Sequence, residues 1–184
     1  MSKGSGMIHP NMATMLCVIT TDAVIEKSLL QKAVSDAVND TFNMISVDRD
    51  TSTNDSVIVM ANGKAENETI KAVSDEYTKF YNGLKTVAET LAKLMASDGE
   101  GATKLFAAKV TGAKSKESAR ILAKSVITSN LVKTAVYGSD ANWGRILCAM
   151  GYSTAKFDPE KVDIYFESKA GKLKIVENGM ATDY

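Results

Sequence analysis

Lys3 to Thr20 reads KGSGMIHPNMATMLCVIT, and the change of character inside this stretch governs how the rest of the chain is read. Its first part mixes glycine, serine, proline and asparagine with no helical or strand period, which marks an irregular loop. From Met15 to Thr20 the residues are mostly apolar and include Val18 and Ile19, the pattern of a short strand covered on both faces. Thr14 therefore falls at the mouth of a buried strand, with the small residue Ala13 before it.

Working outward, Ser28 with Gln31 reads as a capping box opening an amphipathic helix through Val38. Ile45 to Val47 and Val57 to Ala61 read as two strands flanking the polar loop DRDTSTND, Asp48 to Asp55, with a turn at Asn62-Gly63. Apolar residues at spacings of three and four from Ile70 to Leu94 predict one long helix over 67–97, open to a kink at Gly83, and Asp98-Gly99-Glu100-Gly101 stops it. Leu105 to Thr111 predicts a strand and 118–130 a helix. Val132 to Tyr137 fits a strand or a helix end, Gly138 to Arg145 (GSDANWGR) reads as a loop, and 146–152 fits a helix or a strand. Lys161 to Glu167 and Lys172 to Glu177 alternate as a hairpin closed by Ala170-Gly171. No internal repeat interrupts this order.

Composition narrows the function classes. With 184 residues, 45% hydrophobic and 24% charged, the chain suits one globular unit or two small lobes rather than disorder. Lys plus Arg and Asp plus Glu both number 22, so no net field is available to hold nucleic acid or an anionic membrane surface. Cys17 and Cys148 lie in apolar stretches without CxxC spacing and read as reduced, buried thiols. His9 is the only histidine, so no histidine-based metal site is expected. The absence of an apolar run of roughly 20 residues, or of a leader pattern, makes the cytoplasm the expected location.

A lone histidine beside a proline reads as a surface or packing residue, which weakens Ser-His and Cys-His nucleophile pairs. A threonine at a chain terminus needs no histidine, because its own α-amino group, of pKa about 7.7–8.0, can act as base for its hydroxyl. Ala13-Thr14 offers the required junction, if the Thr14 hydroxyl attacks the preceding carbonyl in an N-to-O shift. By itself an Ala-Thr pair is common and usually inert. The glycine-rich pieces KGSG and GEG match neither phosphate-loop pattern, so nucleotide binding through them is rejected. Trp143 and Arg145 could stack on a ligand, yet an aromatic in a tight polar loop more often plugs one end of a core, so packing is the expected role.

KGSGMIHPNMATML (Lys3 to Leu16), DTSTND (Asp50 to Asp55), DGEGATK (Asp98 to Lys104) and GSDANWGRIL (Gly138 to Leu147) together resemble the ornithine acetyltransferases, also called glutamate N-acetyltransferases, across essentially the whole chain. The resemblance implies a layered α/β fold with a second, smaller α/β lobe. The expected division is an irregular segment 1–13, a main lobe 14–112 carrying the nucleophile and a C-terminal lobe 113–184. It further implies cleavage at Ala13-Thr14, Thr14 as the nucleophile that is acetylated in turnover, and Lys3, Thr14 and Glu100 as substrate-binding residues.

The implied reaction moves acetyl from N-acetylornithine to glutamate in arginine biosynthesis, with acetyl-CoA as a further donor in some members and no metal or organic cofactor. Its implied partner is a complementary N-terminal half, carrying a threonine-glycine oxyanion hole, in a heterotetramer of two alpha and two beta chains. Taken alone, Lys3 reads as a solvated loop lysine, Glu100 as a helix-stop residue and DTSTND as a polar turn bonded to its own backbone. The chain departs from the family pattern at Arg49, where glycine is expected, and in being roughly half a member's length. A non-catalytic precursor or assembly subunit without the oxyanion-hole half is the rival reading.

Overall fold

The computed structural model describes residues 1–9, 15–51 and 53–183. Ala13 and Thr14 thus lie outside the described residues, and so does Ser52. The fold is mixed α/β and divides into two compact units, Met1–Leu105 and Phe106–Tyr184.

In the first unit β1 (Ser2–Lys3) runs antiparallel to β2 (Leu16–Thr21), which pairs in parallel with β3 (Ser56–Ala61). The parallel pair is joined through α1 (Lys27–Asp40), and α2 (Asp75–Ser97) packs beside α1. Strand side chains alternate in direction, so Cys17, Ile19, Val57 and Val59 face inward while their neighbours point away. Cys17 joins Met15, Val38, Phe42, Ala88, Ala92 and Met95 in one cluster, and fully burying a large apolar side chain contributes roughly 1.5–3 kcal/mol.

Within the first unit α1 and α2 pack on that face. Leu16 (56%), Ile58 (50%) and Met60 (51%) stay exposed on the other, which corrects the expectation of a strand covered on both sides.

Three local expectations change for identifiable reasons. α1 opens at Lys27 after Glu26, which makes no side-chain cap, so Ser28 is an exposed first-turn residue and no capping box forms. The chain entering it is pinned instead by a bridge between Ile25 and Ile70, with the Glu26 amide donating to the Ile70 carbonyl at 3.1 Å. α2 starts at Asp75 rather than near residue 67, because Ser74 caps it by accepting from the Tyr77 amide at 3.3 Å, with Asp75 and Glu76 favourably placed in the first turn. The helix passes through Gly83 as one element. Ile45 to Val47 form no strand: a short 3-10 turn, Phe42–Met44, precedes them, and the Val47 amide donates to the Ile8 carbonyl at 2.6 Å.

Residues 105–111 carry neither helix nor strand; in the second unit Phe106 and Ala108 pack instead against Val126, Val132 and Ala149. α3 (Lys116–Thr128) is capped by Ser115, and α4 (Asn130–Tyr137) by Ser129, which settles 132–137 as helical. The loop after it is shorter than expected, since Asn142 accepts from the Arg145 amide at 3.1 Å and starts α5 (Trp143–Gly151) inside the GSDANWGR segment. β4 (Ile164–Ser168) and β5 (Gly171–Glu177) form the hairpin, three residues shorter at its start than predicted, and β6 (Met180–Ala181) extends it.

Trp143 packs on the Ile164, Ile175 and Val176 cluster, and Arg145 donates to the Leu131 carbonyl at 2.9 Å, so both serve packing here. Cys17 is buried, but Cys148 is exposed, on α5 beside the buried Ala149; the expectation of two buried thiols fails for it. Among the described residues no group of His, Cys, Asp and Glu could hold a metal ion, and no helix is long and apolar enough to cross a membrane.

Candidate active site

The segment that leads to residue 14 is tied at both ends. At its start Lys3 pairs opposite Leu16 and Ser2 opposite Cys17, with the Val18 amide donating to the Met1 carbonyl at 2.9 Å. The exposed Lys3 is thereby fixed beside the strand that begins two residues after Thr14. At its end Met15 is buried, and its carbonyl accepts from the Ser56 amide at 2.8 Å. Residue 3 and residue 15, the described positions on either side of this segment, are thus both held at the sheet.

Between these ends, two other segments hold residues 5–9. Asp48 accepts from the Met7 amide at 2.5 Å through Oδ2 and from the Ile8 amide at 3.0 Å through Oδ1, which also accepts from the Asp50 amide at 3.0 Å. Backbone N–H groups bonded to an ionised carboxylate are among the stronger hydrogen bonds. His9 lies alongside, with Nδ1 at 3.0 Å from Ser46 Oγ, and its carbonyl accepts from the Thr51 hydroxyl at 3.1 Å. The histidine is half-buried and bonded into the scaffold, in keeping with a packing role.

From the other side the Glu100 amide donates to the Ser5 carbonyl at 2.7 Å. Glu100 Oε2 lies so close to Gly6 that a methyl group there would meet it at 3.0 Å, and Gly99 is seated equally closely on Val47. Gly6 and Gly99 thus serve close approach of three chain segments, while Gly101 takes φ +70. The exposed Glu100 carboxylate stands over the loop that begins at Lys3.

Two acidic residues of the polar loop matter here although the sequence reading singled out neither. Asp48 organises the loop before residue 14. Asp55 is 9% exposed and accepts through Oδ1 from the amide of Met15, 40 residues earlier. Its pKa is raised by burial, partly offset by that N–H bond. DTSTND is therefore more than a turn bonded to its own backbone, because its last residue reaches across to the peptide that follows Thr14. Neither role has a local sequence signal; both depend on which distant amide the folded chain presents.

Arg49, where a glycine was expected, adopts φ +72, a left-handed conformation costly for residues with a Cβ. Arg49→Gly is expected to stabilise the protein by about 0.5–1 kcal/mol net of the extra freedom glycine has when unfolded. Thermal denaturation checks this, with a rise of about 1–4 °C.

The profile of the ArgJ family matches residues 1–184. The chain is similar to the arginine biosynthesis bifunctional protein ArgJ of Caldanaerobacter subterraneus, at 59% identity over 97% of this chain and 44% of that protein. The corresponding protein of Thermotoga neapolitana is 52% identical over 100% of this chain and 46% of its own length. The chain thus spans less than half the length of these curated relatives. Among solved structures, arginine biosynthesis bifunctional protein argJ from Bacillus halodurans superposes with a TM-score of 0.86 at 47% identity, over 93% of this chain and 78% of that one.

Proposed function

The chain belongs to the ArgJ family, and from that premise we propose that it carries the nucleophile of an N-acetyltransferase of arginine biosynthesis, activated by cleavage between Ala13 and Thr14. The observation that carries this reading is the pair of anchors around the junction: Asp48 and Glu100 grip residues 5–8, while Asp55 and Ser56 grip Met15. Such bracketing fixes the described residues on both flanks of the junction, and a well-oriented intramolecular attack gains several orders of magnitude over a free encounter.

In cleavage, the Thr14 hydroxyl oxygen bonds to the Ala13 carbonyl carbon, the Ala13-Thr14 C–N bond breaks, and the hydroxyl proton ends on the Thr14 nitrogen. Water then hydrolyses the ester, returning the Thr14 hydroxyl and leaving Ala13 as a carboxylate. In turnover the freed α-amine takes the hydroxyl proton while the oxygen accepts acetyl from N-acetylornithine, and ornithine leaves with that proton. Glutamate then removes the acetyl group by the reverse sequence.

Lys3 suits the substrate α-carboxylate and Glu100 the ornithine ammonium by charge. Acetyl-CoA is a second candidate donor. A complementary preceding half, as the resemblance implies, supplies the oxyanion donors, in an assembly of two alpha and two beta chains.

Intact mass of the protein, expressed together with that preceding half and then given N-acetylornithine, tests the proposal. The expected result is a break between Ala13 and Thr14 followed by one acetyl mass on the piece that starts at Thr14. An uncleaved and unacylated chain overturns it in favour of a non-catalytic precursor.

A further inference from the structure

Asp55 has a feature that anchoring Met15 does not explain. Its Oδ1 satisfies the Met15 amide, yet its Oδ2 is buried and has no hydrogen-bond partner among the described residues. An asparagine would hold the same amide without placing a charge in a 9% exposed position. Leaving a carboxylate oxygen desolvated and unpaired is unfavourable, so it calls for a donor beyond those that the described residues provide.

Covalent connection supplies one. Met15 N is bonded to the Thr14 carbonyl carbon, so the Thr14 α-nitrogen is only three bonds from the atom that Asp55 holds, within about 3–4 Å of it. Once the chain is cut before Thr14, that nitrogen becomes an amine.

Building on the proposed role of Thr14, we infer that Asp55 is a positioning residue for the nucleophile, with Oδ1 fixing the Met15 amide and Oδ2 accepting a hydrogen bond from the Thr14 α-ammonium. When the α-amine takes the hydroxyl proton, positive charge forms beside a waiting carboxylate, as an imidazolium forms beside its aspartate in a serine protease. Asp55 gains and loses no proton. The proton passes from Thr14 Oγ to the α-nitrogen and on to the departing amine, and the ion pair is strongest while the nitrogen is charged.

The causes of the Asp55 shift are burial and the Met15 amide, with no charged side chain among them. Of the charged groups on adjoining segments, Lys3 and Glu100 are exposed and Asp48 is bonded to the Met7, Ile8 and Asp50 amides. The carboxylate is thus available to a newly formed cation.

The test uses the two-chain form, with the break between Ala13 and Thr14 encoded in the genes and the preceding half present, so that the terminus exists in every variant. The α-amine pKa is read by pH-dependent competitive labelling followed by mass spectrometry, beside the pH profile of acetyl transfer. An opposite charge favours the ammonium, so Asp55→Asn is expected to lower the amine pKa, and the rising limb of the profile, by about one unit. It is also expected to cut kcat about 10- to 100-fold with little change in KM. Asp55→Glu, which keeps the charge, recovers part of both.

Equal amine pKa and kcat in Asp55→Asn and the parent overturn the inference, as does a loss that Asp55→Glu does not relieve at all. Those outcomes leave Thr14 as nucleophile intact. A parent protein that takes no acetyl on Thr14 instead sinks the reading on which the inference rests.

Discussion

Thr14→Ala yields a chain that keeps its full encoded mass in the presence of the preceding half and takes up no acetyl from N-acetylornithine. Both losses are expected to be complete within detection, since one hydroxyl serves as nucleophile for cleavage and for transfer, and alanine offers nothing in its place. Thr14→Ser retains the oxygen while dropping the methyl group, and is expected to keep part of each activity. The fold should be unaffected, because the anchors on either side belong to other residues: Lys3 against Leu16 before it, and Asp55 and Ser56 on Met15 after it. Intact mass against time reads cleavage, and release of ornithine reads transfer. A Thr14→Ala protein that still cleaves places the nucleophile elsewhere, and one that fails to cleave but transfers normally separates the two reactions.

Asp48→Ala is expected to slow cleavage by about 100-fold, the scale on which a displacement of about 1 Å at a reacting centre acts. In this reading the residue works through the loop. Removing its carboxylate leaves the Met7, Ile8 and Asp50 amides without that acceptor at once. Met7 itself holds φ +56, a conformation that needs outside support, and the Asp48 bond to its amide is part of that support.

Because Asp48 is exposed, water replaces some of the lost bonding, and the stability cost is expected at about 1–2 kcal/mol, or about 2–8 °C in thermal denaturation. Asp48→Asn should fall between parent and alanine variant, since one oxygen remains while an NH2 group faces an N–H. Cleavage at the parent rate in Asp48→Ala would mean that residues 5–9 need no external clamp.

The contrast between these two positions shows what could be read in advance. Thr14 stood out because a loop gives way to an apolar run at that point and because the surrounding motif is long. Asp48 and Asp55 sat in a stretch that reads as an ordinary polar turn, and DRDTSTND says nothing local about which amides its carboxylates meet. Similarly, the helix of α2 was legible from its period but its start was not, since Ile70 and Val73 continue the apolar spacing until Ser74 captures the Tyr77 amide. Ile45 to Val47 looked like a strand for want of any sign that the Ile8 carbonyl would engage Val47 instead. Arg49 was recognised as out of place by comparison with the family pattern, and its φ of +72 supplies the backbone reason.

By itself the sequence determined the α/β class, the strand that follows Met15, most helices and the terminal hairpin. Those features arise from side-chain period and end signals that act within a few residues. Only the tertiary structure decided that Leu16, Ile58 and Met60 on one face of β2 and β3 stay exposed, that Glu100 stands over Gly6, and that Asp48 and Asp55 reach the amides of residues 7, 8 and 15. These pairings join residues about 40 or more apart in the chain, where the geometry depends on how the sheet and helices close on one another rather than on any residue's own preference.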